Sequence, residues 1–252
     1  MQKNQKSFYF ILSSLFICLL HLPLAFGQKT EYLRETFFYH VKTNSRSTDS
    51  VALISAFRSI YDSLHLEVSG LSKLAYEMAQ SGFKKIKDQG RLVNDSVLSI
   101  VDFSQSSDKK RLYVLDLKNY KMLYNTLVAH GKNSGKLWAE SFSNRPASCK
   151  SSIGFYLTGH PYHGTNGYSL KLDGLEKGFN NNAASRAIVL HGAGYVCDSY
   201  INEQGYIGRS EGCPAVPVRF AKDIINTIKD GSCLFIYHSD KIYSQRSALL
   251  KG

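Results

Sequence analysis

The sequence predicts a mainly β domain, a sandwich or barrel, with one short late helix and an N-terminal helical hairpin ahead of it. Three observations carry that expectation. Between residues 96 and 237, short runs rich in branched and aromatic residues alternate with turn-forming residues. Before residue 90 the apolar residues recur instead at three- and four-residue spacing. After Pro217, the residues Ala221, Ile224, Ile225 and Ile228 outline a single amphipathic helix that begins near a proline.

The chain opens with the pattern of an export signal. Lys3 and Lys6 precede an apolar run from Phe8 to Leu24, and Ala25-Phe26-Gly27 supplies small residues at a cleavage site. Residues 1–27 are therefore expected to be removed, leaving Gln28 first and no stable membrane anchor. Cys18 has no small residue just before it, which argues against lipid attachment. The expected destination is the periplasm or cell envelope.

Residues 28–94 read as an N-terminal extension with a helical hairpin. Its first half is marked by Ile54, Phe57, Tyr61 and Leu64, with Asp49 or Ser50 placed to cap. Its second half follows Ser69-Gly70 and is marked by Leu71, Leu74, Ala75 and Met78, with Gly82 and Gly90 weakening and ending it. Residues 95–240 form the expected catalytic domain, and 241–252 a C-terminal tail. Within the domain LSIVDF, RLYVLDL and KMLYNTLV read as strands, the last two joined through Leu117-Lys118-Asn119-Tyr120, where Asn119 suits a turn. Further strands are expected at 137–143, 152–158, 167–172, 186–190 and 233–237.

Loss of Lys3 and Lys6 lowers the formal charge from +11 to +9. On an exported protein that excess suits an anionic polymer such as a cell wall, or simply a solvated basic surface. Export and the lack of a basic helix or an RNA-binding signature exclude nucleic acid as a partner. Four cysteines follow the signal: Cys149, Cys197, Cys213 and Cys233. If Cys213 stays a free thiol, at most one bridge can form among the others; Cys233, in CLFIY, reads as a buried small hydrophobe.

The chemistry concentrates in residues 186–217. Ile188-Val189-Leu190 leads into His191, and Ser210-Glu211-Gly212 leads into Cys213. A free thiol near its reference pKa of about 8.5 is mostly protonated at neutral pH, so a nucleophilic cysteine needs a base. His191, at the end of an apolar run and before Gly192-Ala193-Gly194, is the candidate base. Its second ring nitrogen could be held by a backbone carbonyl; Asp198 is near in sequence but has no positional argument.

This region resembles the active site of the L,D-transpeptidases, cysteine enzymes that cross-link peptidoglycan. It is most similar to the murein L,D-transpeptidase catalytic domain family, whose second motif reads Gly-Arg-Ser-x-Gly-Cys-Pro. Gly208 to Pro214 fits that form position by position. VAHGKNSG (Val128 to Gly135), SSIGFY (Ser151 to Tyr156) and YSLKLDGLEKGFN (Tyr168 to Asn180) extend the likeness over roughly 95–238. Glu211 stands where the commoner motif has histidine, Pro214 and Ala215 replace its polar followers, and the 22-residue step from His191 to Cys213 is somewhat long.

The resemblance implies an L,D-transpeptidase-like β domain and an acyl transfer needing no cofactor or metal. Cys213 would attack the carbonyl after the third residue of a tetrapeptide stem, expel D-alanine and hold a thioester. The amine of a second stem would then form a 3→3 cross-link, or water would give L,D-carboxypeptidase trimming. His191 would move the protons, and the Gly212 and Cys213 amides are oxyanion candidates. Ser210 would bond His191 or shape the turn. Arg209 could hold a stem carboxylate, His130 could line the cleft, and Tyr156 or Tyr195 could touch substrate; each has a structural alternative as a solvated or packed side chain. Two rival classes remain. One is a zinc wall peptidase built on His160, His163, His191 and Asp198, which lack helical spacing. The other is a non-catalytic peptidoglycan-binding module.

Overall fold

The computed structural model describes residues 60–251. The export signal and most of the first half of the hairpin lie outside the described residues.

The second half of the hairpin is helix α1, Lys73–Asp88, started by Ser72, whose hydroxyl accepts from the Ala75 amide at 3.3 Å. Its buried face is Ala75, Ala79, Phe83 and Ile86, not the Leu74 side, which is 55% exposed. Gly82 does not weaken the helix from within; it makes room. A Cβ there would lie 2.0 Å from Cζ of Phe155, so the glycine lets that ring press against the helix backbone.

One mixed sheet of eight strands forms the body. In chain order the strands are β1 (Val97–Asp102), β2 (Leu112–Asp116), β3 (Lys121–Thr126), β4 (Gly154–Gly164), β5 (Gly167–Gly174), β6 (Val189–Ala193), β7 (Ala215–Pro217) and β8 (Cys233–Tyr237). Their spatial order is β3-β2-β1-β8-β4-β5-β6-β7. The apolar run at 233–237 lies in the middle, parallel to β1 and antiparallel to β4, and every residue of it is buried, Cys233 included. Phe155 and Phe235 stack there at 4.1 Å.

The two ends of the sheet meet. Just past β3, the Ala129 amide donates to the Ala215 carbonyl of β7 at 2.8 Å, and the Ser210 amide to the His130 carbonyl at 3.0 Å. The sheet is thereby nearly closed and barrel-like, as the strand-rich sequence predicts.

Several local expectations change. Residues 137–143 are not a strand: the amides of Glu140 and Ser141 both turn back onto the Ser134 carbonyl, and the apolar residues pack singly, Phe142 lying between Phe103 and His238. The strand expected at 152–158 runs on to Gly164 and takes His160 and His163 with it. The strand expected at 186–190 starts later and includes His191. At the β2–β3 turn the left-handed residue is Tyr120 (φ 53°), while the Asn119 side chain and amide are both bound by Asp116. Pro217 closes β7 and caps helix α3, Val218–Ile228, which follows the short helix α2, Asp198–Gln204. Residues 241–252, expected as a tail, supply helix α4, Lys241–Arg246, whose fully buried Tyr243 donates to Glu176 at 2.7 Å.

Candidate active site

Strand pairing brings the two candidate reactive residues to one place. His191 on β6 is in register with Ala215 on β7, so the turn just before β7 lies alongside the residues just before His191. There the Val189 amide donates to Sγ of Cys213 at 3.4 Å, and that thiol faces the Ala187 carbonyl at 3.6 Å. Ala187 presents its carbonyl from left-handed backbone (φ 53°). Cys213 is 9% exposed and His191 5%, and both open onto a cavity of about 540 Å³. All four described cysteines are free thiols.

The imidazole is oriented by its own strand. Nδ1 of His191 lies 2.9 Å from the Gly192 carbonyl. A carbonyl only accepts, so Nδ1 donates and, in the neutral tautomer this bond selects, Nε2 is the nitrogen left to act as a base. The backbone carbonyl does the work sought from an acidic residue.

Burial pushes the Cys213 thiol up from its ordinary value. The Val189 amide and the Arg186 cation act in the opposite direction, and Glu211 adds to the rise. The resting sulfur is thus a thiol that has to be deprotonated during attack.

The turn that carries it is fixed from within. Ser210 Oγ accepts from the Gly212 amide at 3.1 Å and donates to the Cys213 carbonyl at 2.6 Å, so this hydroxyl shapes the turn and is not paired with His191. Gly212 sits at φ +126° with the Lys150 carbonyl 2.8 Å from where a Cβ would be, a position only glycine tolerates. Because its amide is bound by Ser210, Gly212 is not an oxyanion donor. The amide of Cys213 has no partner among the described residues and remains available.

Arg186, which sequence reasoning passed over, underlies the turn. It donates to the Ser143 carbonyl and the Lys150 carbonyl at 2.7 Å each, and to the hydroxyls of Ser148 and Ser152. It has no carboxylate partner among the described residues, so its charge is left to act on the cavity it lines. An arginine leading into the apolar run Ile188-Val189-Leu190 was the available signal.

The family model of the L,D-transpeptidase catalytic domain matches residues 67–237, more than half of the chain. The chain belongs to the L,D-transpeptidase catalytic domain family. No curated protein matches it. Among solved structures, it is similar to an L,D-transpeptidase from Mycobacterium smegmatis at 12% identity and a TM-score of 0.36, over 57% of this chain and 59% of that one. It is also similar to the helical cell shape determining protein Pgp2 of Campylobacter jejuni, at 14% identity and a TM-score of 0.38, over 68% of this chain and 58% of that one. An L,D-transpeptidase from Stackebrandtia nassauensis gives 15% identity and a TM-score of 0.35, over 68% and 69%. The chain therefore spans about three fifths of the length of the first two.

In this L,D-transpeptidase domain the remaining candidates separate cleanly. Arg209 and Tyr195 line the same cavity as Cys213. Arg209 is held by the carbonyls of Lys132 and Gly135, both at 3.1 Å, and Tyr195 packs so closely on Gly208 that a Cβ there would lie 2.4 Å from it. Glu211 faces solvent at the cavity edge and pairs with Lys132 at 2.7 Å. Tyr156 is fully buried and bonds the Ser152 carbonyl, so it is a core residue.

His130 does not line the cleft. It is completely buried; Arg111 donates to its Nδ1 at 2.7 Å, and its Nε2 lies 3.2 Å from the Gly135 carbonyl. Burial and the neighbouring guanidinium hold its pKa down to about 3. It is a neutral structural histidine.

The proposed zinc ligands are scattered. His160 is exposed and pairs with Asp230 at 2.6 Å, His163 rests on Tyr168, and Asp198 begins α2. Among the described residues no three histidine, cysteine, aspartate or glutamate side chains converge.

Proposed function

We propose that this protein is an exported peptidoglycan transpeptidase that uses Cys213 as nucleophile and His191 as base. The observation that carries the reading is one cavity holding a thiol and an imidazole whose Nδ1 is already committed to the Gly192 carbonyl. Family membership supplies the substrate class.

The donor is a tetrapeptide stem. Nε2 of His191 takes the thiol proton as sulfur attacks the carbonyl before the terminal D-alanine. The Cys213 amide stabilises the oxyanion. His191 returns the proton to the leaving amine, D-alanine departs, and a thioester remains. The side-chain amine of a second stem, deprotonated by His191, attacks that thioester; the amide forms, the C–S bond breaks and the thiol recovers its proton. The product is a 3→3 cross-link. Water in place of the amine gives a trimmed tripeptide at the same site.

Incubation with tetrapeptide muropeptides tests the reading. Free D-alanine, an acyl mass on Cys213, and dimer or tripeptide are expected, with all of them lost in Cys213→Ala. A wild-type protein that yields no D-alanine and no adduct overturns it.

A further inference from the structure

The cavity that holds Cys213 carries two guanidinium groups, and they are differently employed. Both Nη nitrogens of Arg186 are bound to protein oxygens, those of Ser143, Ser148, Lys150 and Ser152. Arg209 binds the Lys132 and Gly135 carbonyls through Nη1 alone. Its Nε and Nη2 have no acceptor among the described residues, and its charge has no carboxylate partner there. Glu211, a carboxylate in the same lining, pairs with Lys132 instead. The open Nε–Nη2 edge is the one on which a guanidinium receives a carboxylate through two parallel bonds.

That edge is fixed from behind. The guanidinium lies over the Tyr206 ring at 5.6 Å, and the Gly135 carbonyl that takes its Nη1 also faces Nε2 of His130 at 3.2 Å. Arg111 donates to Nδ1 of His130, so the neutral ring carries its proton on Nε2 and donates it to that carbonyl. Arg111 is fully buried and itself pinned, with Nε and Nη2 on the Val128 carbonyl and Nη1 on the Gln105 carbonyl. Gly135 stands at φ +148°, and a Cβ there would strike the Trp138 carbonyl, so the direction of its own carbonyl depends on being glycine.

We propose that Arg209 selects donors by a carboxylate and that His130, outside the cavity, is its positioning residue, acting through the Gly135 carbonyl. The inference rests on the transpeptidase reading for the identity of the donor. The carboxylate belongs either to the departing alanine or to the part of the stem that stays on sulfur, and the planar fork reads the same group in both. Without the Nε2 bond the Gly135 carbonyl is held by Arg209 alone, and the fork loses its fixed direction.

Two measurements on the full chain test it. In the first, Cys213 is alkylated with iodoacetate and with iodoacetamide, and the rate ratio, read by mass on its peptide, is referred to the same peptide in the urea-unfolded chain. The anionic reagent should be favoured about tenfold more in the wild type than in Arg209→Gln. Arg209→Lys keeps the charge without the fork and should recover only part of the preference. His130→Gln, whose amide stands where Nε2 stands, should keep the ratio, whereas His130→Asn, which reaches Arg111 but not Gly135, should lose about threefold or more. In the second, acylation of Cys213 is followed with a tetrapeptide muropeptide as the free acid, with its terminal carboxyl amidated, and with an internal carboxyl amidated. Arg209→Gln should slow the free acid about tenfold and have no further effect on one of the two amides, which identifies the carboxylate. An alkylation ratio unchanged in Arg209→Gln, or an equal penalty with all three donors, overturns the inference. A ratio lost in His130→Gln, or kept in His130→Asn, overturns the positioning role. A wild type that gains no acyl mass from any donor instead overturns the transpeptidase reading, while the alkylation ratio still decides whether Arg209 reads a carboxylate.

Discussion

The Val189 amide donates to Sγ of Cys213 from a position two residues before His191 on the same strand. One extended segment therefore holds the Cys213 thiol through its backbone and carries the His191 imidazole as a side chain. The spacing between them is set by β geometry rather than by a flexible loop.

That arrangement predicts how the thiol titrates. Burial raises its pKa, so at neutral pH the thiolate fraction is small and alkylation by iodoacetamide should keep accelerating above about pH 9. Arg186→Gln removes a cation that lowers this pKa, so the alkylation profile should move further to alkaline pH. Arg186→Lys should recover much of that shift while losing the four-oxygen latch. A profile that plateaus below pH 8 in the wild type contradicts this.

Ser210 should matter for turnover without touching substrate. Ser210→Ala removes both the acceptor of the Gly212 amide and the donor to the Cys213 carbonyl. D-alanine release should fall by about ten- to a hundredfold, consistent with the loss of positioning worth roughly 1.4–2.7 kcal/mol. Circular dichroism should show the fold unchanged.

Acid stability should depend on His130. Its folded pKa of about 3 lies below the ordinary 6.5, so the neutral form is the one the fold favours. Its contribution is complete above pH 6.5 and is lost as pH falls from there toward 3. A melting temperature measured across this range should drop in the wild type and drop less in His130→Gln, relative to each protein's value at pH 7.

Gly82→Ala tests the contact between α1 and the sheet. Helix propensity alone favours alanine by about 1 kcal/mol, but overlap with the Phe155 ring should outweigh it, giving a net loss of about 1–2 kcal/mol in urea denaturation. A more stable variant would show that the ring yields.

Much of this architecture was legible in the chain because periodicity and turn chemistry are local. CLFIY declared itself a fully buried strand, Pro217 announced the late helix, and Cys213 and His191 stood out by their neighbours. The failures were of long-range origin. His130 precedes a glycine after an apolar run much as His191 does; only the fold shows that Arg111 claims its ring and that neither residue lines the cleft. Gly212 looked like a free amide, yet the hydroxyl two residues earlier takes it. The apolar residues of 137–143 suggested a strand, but the Ser134 carbonyl takes the amides of Glu140 and Ser141 instead. Arg186 carried no motif, and its value comes from oxygens that lie 34–43 residues away in sequence.

Where the barrel shuts has a consequence for how the thiol is held. Ala129 and His130 from one margin clasp Ala215 and Ser210 from the other, and the cysteine lies between those two clasped residues. With those margins apart, β6 and β7 would still pair, but both margins would be open sheet edges and the cysteine turn would lose its hold at Ser210. Closing the barrel thus steadies the thiol from a second side.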